Sequence, residues 1–153
     1  MLSLLVLLAT TPALAGDPPP AGTSNPFGLG VSLGYPHNLN GKYWMNKKAG
    51  VGFYAGGGLL YGLSGHVAYE QLFWQIGDWD WARLNMYWNV GVIGGLRWSG
   101  ALLGAGGGVG ATMRFKTVPA EAFIHHNSYI TPTLFSSNTY YGHNTFVGAR
   151  WYF

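Results

Sequence analysis

Six charged residues could do chemistry together in the body of this chain: Lys42, Glu70, Arg97, Arg114, Glu121 and Arg150. Four cations and two carboxylates can pair, hold an anion, or line a passage for one. A second group is closer to catalysis by residue type. His125-His126-Asn127-Ser128 sets an imidazole two residues before a hydroxyl. A serine becomes nucleophilic when a base takes its proton and a carboxylate orients that base. No Asp or Glu follows Glu121, so the orienting acid is missing downstream. His125 and His126 make no metal pair on an extended chain, because neighbouring residues point to opposite faces. The absence of Cys removes disulfides, thiol catalysis and thiolate metal sites. The run at 104–110, GAGGGVG, lacks the Lys-Ser/Thr ending and the following helix of a phosphate loop. No metal and no cofactor are expected.

The elements that must position these residues are strands. Charged residues are 8% of the chain, aromatics 16%, and Gly 25 of 153. No internal run reaches the roughly 18 apolar residues of a helical span. Apolar residues instead fall at alternate positions, the period of a strand with two surroundings. From residue 83 to 98 one face reads Leu84, Met86, Trp88, Val90, Val92, Gly94, Leu96, Trp98. The other reads Arg83, Asn85, Tyr87, Asn89, Gly91, Ile93, Gly95, Arg97, and holds every polar residue. Alternation over that length exceeds a usual strand of about five residues and implies a tall sheet with an apolar exterior.

The same reading predicts strands over 27–35, 39–46, 51–60, 66–75, 83–98, 104–116, 120–130 and 143–153. Turns are expected at 61–65, 76–82 and 99–103, and the longest loop at 131–142. Eight strands, an even number, suit an all-β, antiparallel up-and-down transmembrane barrel over 27–153. Before it, 1–15 read as a secretory signal, with an apolar run at 2–8 and the small-x-small pattern Ala13-Leu14-Ala15. Residues 16–26, GDPPPAGTSNP, form a Pro-rich, disordered leader.

The final strand places Phe153, Trp151, Ala149 and Val147 on one face. This ending resembles the C-terminal signature of bacterial outer-membrane barrels. Gly28-Leu29-Gly30, Gly34-Tyr35-Pro36, Gly41-Lys42-Tyr43-Trp44 and the close Gly148-Ala149-Arg150-Trp151-Tyr152-Phe153 are similar to a family of small outer-membrane β-barrels of unassigned function, known from spirochaetes and other bacteria. The resemblance spans the mature barrel, with its specific motifs at the two ends. It implies the bacterial outer membrane as location, an eight-stranded barrel, and no enzymatic residues. The implied partners are outer-membrane lipid and, through the C-terminal strand, the barrel-assembly machinery. The chain is expected to be a monomer. Its scattered cations form no stripe for nucleic acid.

Alternation puts the six charged residues on the inward face, since a lipid-facing Arg or Lys costs roughly 2–4 kcal/mol at mid-bilayer. Eight strands leave room for side chains and little water. The expected lumen is therefore a polar plug serving a structural or envelope-integrity role, with a small, weakly anion-preferring pore as the alternative. The His126-x-Ser128 spacing also resembles outer-membrane lipid A deacylases. Here Glu121 is expected inward while His126 and Ser128 face outward, so the parts of such a site do not meet.

Overall fold

Alternation of apolar and polar residues is the local reason these segments are extended, and the structure closes them into one sheet. In this computed structural model the described residues are 26–34, 39–58, 62–97, 100–132 and 139–153, with backbone alone at Arg97 and Tyr140. The strands are β1 (Phe27–Leu33), β2 (Leu39–Trp44), β3 (Ala49–Gly58), β4 (Gly62–Asp78), β5 (Ala82–Arg97), β6 (Gly100–Phe115), β7 (Ala120–Pro132) and β8 (Thr139–Tyr152). Each pairs antiparallel with the next, and β1 pairs with β8, giving a closed up-and-down barrel. Closure extends to the last residue, whose N–H donates to the Phe27 carbonyl at 2.9 Å.

One row of paired residues winds inside the barrel. From Arg83 it passes to Arg114, Glu121, Arg150, Gly30, Asn40, Tyr54 and His66, and returns to β5 at Ile93. The return is ten residues further along β5. With strands about 4.8 Å apart and rising about 3.3 Å per residue, that stagger tilts them by roughly 40°.

The two faces are inverted relative to a water-soluble protein. Among the described residues the buried apolar set is Trp, Tyr, Phe and Ala, without one Leu, Ile, Val or Met. Lys42, Glu70, Glu121, His125, Asn127 and Arg150 are buried. Leu29, Val31, Leu39, Val67, Val90, Val92, Val109, Ile124 and Val147 are exposed on the outer face.

Three short turns, at 45–48, 79–81 and 116–119, lie at the end that also carries both barrel termini. In the first, the Asn46 side-chain oxygen accepts from the Lys48 and Ala49 N–H groups at 2.8 and 2.9 Å. Trp79 and Trp81 stack beside the second, and Trp81 meets Phe115.

Several boundaries differ from the sequence reading. β4 begins at Gly62 and runs to Asp78, taking in 62–65 of one expected turn and 76–78 of the next, where the chain turns at 79–81. β6 begins at Gly100 rather than 104, and β7 and β8 reach Pro132 and Thr139 inside the expected loop at 131–142. These ends carry Gly, short apolar runs or mixed residues without alternation, yet their backbones have ladder partners, such as Gly58↔Gly62, Arg97↔Gly100 and Pro132↔Thr139. Conversely, β1 stops at Leu33, where Gly34 takes a φ of +138°. Register shifts between Leu72 and Trp74 and between Gln75 and Gly77 mark bulges, so Phe73 and Trp74 are both exposed. The expected signal and the leader up to residue 25 lie outside the described residues.

Inward glycines give the larger side chains their space. A Cβ at Gly52 would run into the Glu70 carboxylate and lie 2.9 Å from the Tyr54 ring. Gly65, on the outer face opposite Ala55, has only the Tyr54 carbonyl within reach, at 3.6 Å. Gly52→Val is therefore expected to cost about 1–3 kcal/mol by overpacking, and Gly65→Ala much less. Urea unfolding of the refolded protein measures both; equal midpoints would contradict this account of the lumen.

Candidate functional site

The lumen holds a charge-balanced quartet. Lys42 comes from β2, Glu70 from β4, Glu121 from β7 and Arg150 from β8, and each is at most 2% exposed. Alternation aims all four inward, and the stagger of the strands sets their heights. Lys42 Nζ lies 2.7 Å from Glu70 Oε2 and 3.9 Å from Glu121 Oε1. Arg150 Nη1 donates to Glu121 Oε1 at 3.0 Å, and Nη2 is 3.9 Å from Glu70 Oε1.

Residues outside the expected set complete this network. Arg150 Nε donates to Asn40 Oδ1 at 2.7 Å, and Nη2 to the Tyr54 hydroxyl at 2.6 Å. Tyr54 donates to Glu70 Oε1. The Tyr152 hydroxyl donates to Glu121 Oε2 at 2.8 Å and accepts from Trp44 Nε1 at 3.1 Å. Lys42 Nζ also sits 3.7 Å from the centre of the Trp44 ring, a favourable cation–aromatic contact. The sequence signal for these partners is parity: Asn40 and Trp44 flank Lys42 by two residues, and Tyr152 follows Arg150 by two.

Toward the other end of the lumen a second polar layer fills the barrel. His125 packs on Phe146 with ring centres 4.0 Å apart, and its Nδ1 lies 3.0 Å from the Tyr87 hydroxyl. Asn89 Nδ2 donates to Asn127 Oδ1 at 2.9 Å, and Asn127 Nδ2 to the Tyr129 hydroxyl at 2.8 Å. Tyr54, Tyr87 and His125 are each no more than 3% exposed.

Of the two remaining cations, Arg114 does not join the quartet. Arg114 lies directly across from Glu121 in the β6–β7 register. Its guanidinium instead sits 5.3 Å from the Trp44 ring centre, and its Nε has no hydrogen-bond partner among the described residues. The Arg97 side chain lies outside the described residues. Phe153, Val147 and Ala149 face outward and are exposed, while Trp151 is half-buried on the same face.

His126 and Ser128 point outward, away from buried His125. They do not pair with each other. His126 Nδ1 lies 2.8 Å from Thr145 Oγ1, and Ser128 Oγ lies 2.9 Å from His143 Nδ1. These are cross-strand partners in the β7–β8 register, and the two imidazoles stack with centres 5.9 Å apart. The Ser128–His143 contact depends on that register and leaves no signal in the order of residues along either strand. The described carboxylates lie in the lumen (Glu70, Glu121) or at the turn end (Asp78, Asp80), so none orients either imidazole. No protein-family model, no characterised protein and no solved structure matches the chain.

The arrangement does what a tie does: it joins β2, β3, β4, β7 and β8 through buried charge. Breaking a buried pair on one side costs about 3–5 kcal/mol, since a partner charge is stranded. Arg150→Met is expected to lose stability of that order in urea unfolding, and adding Glu121→Gln should recover part of it. A loss no larger than that of Lys48→Met at the exposed turn would show that the quartet does not hold the barrel.

Proposed function

We propose that the chain is an integral protein of a bacterial outer membrane, of the small-barrel kind that its two end motifs resemble, with a structural role in the envelope. The inversion of its faces carries this reading: charge and amide groups inside, Leu, Ile and Val outside. Such an exterior is unfavourable in water and favourable against acyl chains, and pairing around a closed sheet satisfies the backbone along the barrel body, as hydrocarbon requires. Trp79, Trp81 and Phe115 at the turn end suit the membrane–water boundary, where aromatic rings collect. In this reading 1–15 direct export, and β8 presents Val147, Ala149, Trp151 and Phe153 to the assembly machinery before β1 covers its edge. The barrel acts as a monomer in lipid, without enzymatic activity, and its lumen is a plug because the quartet and the layer above it fill the cross-section.

The test uses the chain from Gly16, refolded into detergent micelles. Its gel mobility should shift on boiling, with a β-type circular dichroism spectrum before heating. Solubility in plain buffer without the shift would sink the membrane reading. In planar bilayers no stepwise conductance is expected; steps with anion preference would replace the plug by a pore. Incubation with lipid A should leave its acyl chains in place, and their release, abolished by Ser128→Ala, would make the outward polar patch a hydrolase site.

A further inference from the structure

The barrel wall is open on one side of the turn end. β3 starts at Ala49, opposite Gln71, and Leu72 N–H donates to the Lys48 carbonyl at 2.8 Å. β4 then continues to Asp78, paired with β5 alone among the described residues. A cavity of about 310 Å³ lies in this gap, at the small end of ligand sites. Lys47 and Lys48 border it from the β2–β3 turn, Leu72–Gln75 from β4, and Arg83, Asn85 and Arg114 line its floor.

Its chemistry is one-sided. Four cations line it, and no carboxylate is among the described lining residues. Arg83 and Arg114 stand directly opposite each other across β5 and β6, a like-charge pair in which Asp78 meets Arg83 and no carboxylate hydrogen-bonds Arg114 among the described residues. Asp78 holds Arg83 through Nε at 3.1 Å and Nη2 at 2.9 Å and pairs with Lys116 at 2.6 Å, leaving Arg114 without a carboxylate partner among the described residues. Asn85 is 4% exposed, and its Nδ2 has no hydrogen-bond partner among the described residues; neither has Arg114 Nε. Both orphaned atoms are donors, so the group that satisfies them is an acceptor, and the surrounding charge makes it an anion. The Arg114 fork, the side of Arg83 not held by Asp78 and two ammonium groups fit a phosphate better than a single carboxylate.

We propose that this vestibule is a phosphate-binding site that opens sideways to take the headgroup of an anionic phospholipid. The side opening and its neighbours supply the second half of that statement. Phe73, Trp74 and Ile76, exposed beside the gap at 55%, 62% and 46%, offer apolar surface along which acyl chains would lie while the phosphate turns inward. The proposal rests on the membrane reading for its lipid, and on the cavity alone for its phosphate.

Native mass spectrometry of the refolded protein in neutral detergent tests it, with phosphatidylglycerol, phosphatidylcholine and inorganic phosphate as probes. Phosphatidylglycerol should bind at least tenfold more tightly than phosphatidylcholine. Arg114→Gln should weaken it about tenfold while leaving the heat-induced gel shift intact. Should Arg114→Gln fail to refold, Lys47→Gln/Lys48→Gln on the exposed turn reads the same loss. Phosphate binding that needs Arg114, without lipid binding, would keep the phosphate site and overturn lateral lipid entry. Equal binding of both lipids with no phosphate binding, or binding indifferent to these variants, would overturn the site. A wild-type chain with no gel shift fails the membrane reading instead, and phosphate binding in plain buffer then decides the vestibule by itself.

Discussion

Arg150 is the constraint on which the other contacts depend. It is 2% exposed on the last strand, and a guanidinium there is tolerable only if its charge and its N–H groups are met. Its partners come from β2 (Asn40), β3 (Tyr54) and β7 (Glu121), with Glu70 of β4 close by. The chain must therefore bring its beginning, middle and end into one register before this side chain is satisfied. A slip of β8 by one residue would turn Arg150 into the apolar belt, at roughly 2–4 kcal/mol if lipid faced it, and would strand Glu121. The network thus specifies register as much as it adds stability.

Space inside so narrow a barrel is the second constraint, and it explains the glycine count. Bulky inward residues face glycines on neighbouring strands. Gly28 lies under the Tyr152 ring, where a Cβ would come within 2.7 Å of it. Gly52 leaves room for Glu70 and Tyr54 together. The large polar side chains of the quartet fit only because the strands beside them are bare. Charge pairing and glycine placement are one solution: the first requires that the side chains meet, and the second lets them.

This solution was legible in the sequence to the extent that it is local. Parity along a strand is visible in residues 83–97 and 120–128, where the two environments differ sharply, so strand number, closure and the inward direction of Lys42, Glu70, Glu121 and Arg150 could be read. Strand ends could not. At 62–65 and 100–103 small or uniformly apolar residues pair through their backbones and carry no pattern. Choice of partner was equally hidden, because it depends on stagger between strands distant in sequence. Arg114 faces Glu121 in register, yet the oxygens of Glu121 go to Arg150, Tyr152 and Lys42. Ser128 meets His143 and not His126 for the same reason.

The placement of charge also bears on plug against pore. Both buried carboxylates are committed to Lys42 and Arg150, so the middle of the lumen is close to neutral. Lys47, Lys48, Arg83, Arg114 and Lys116 sit toward the turn end, against Asp78 and Asp80. An anion-conducting passage needs attraction distributed along its length, with each site weak enough to leave. Here the cations gather at one mouth and the interior beyond them holds the buried, charge-paired quartet. In the proposed reading an anion drawn in from that side meets Arg83, Asn85 and Arg114 first, and the neutral quartet beyond them offers it no further attraction.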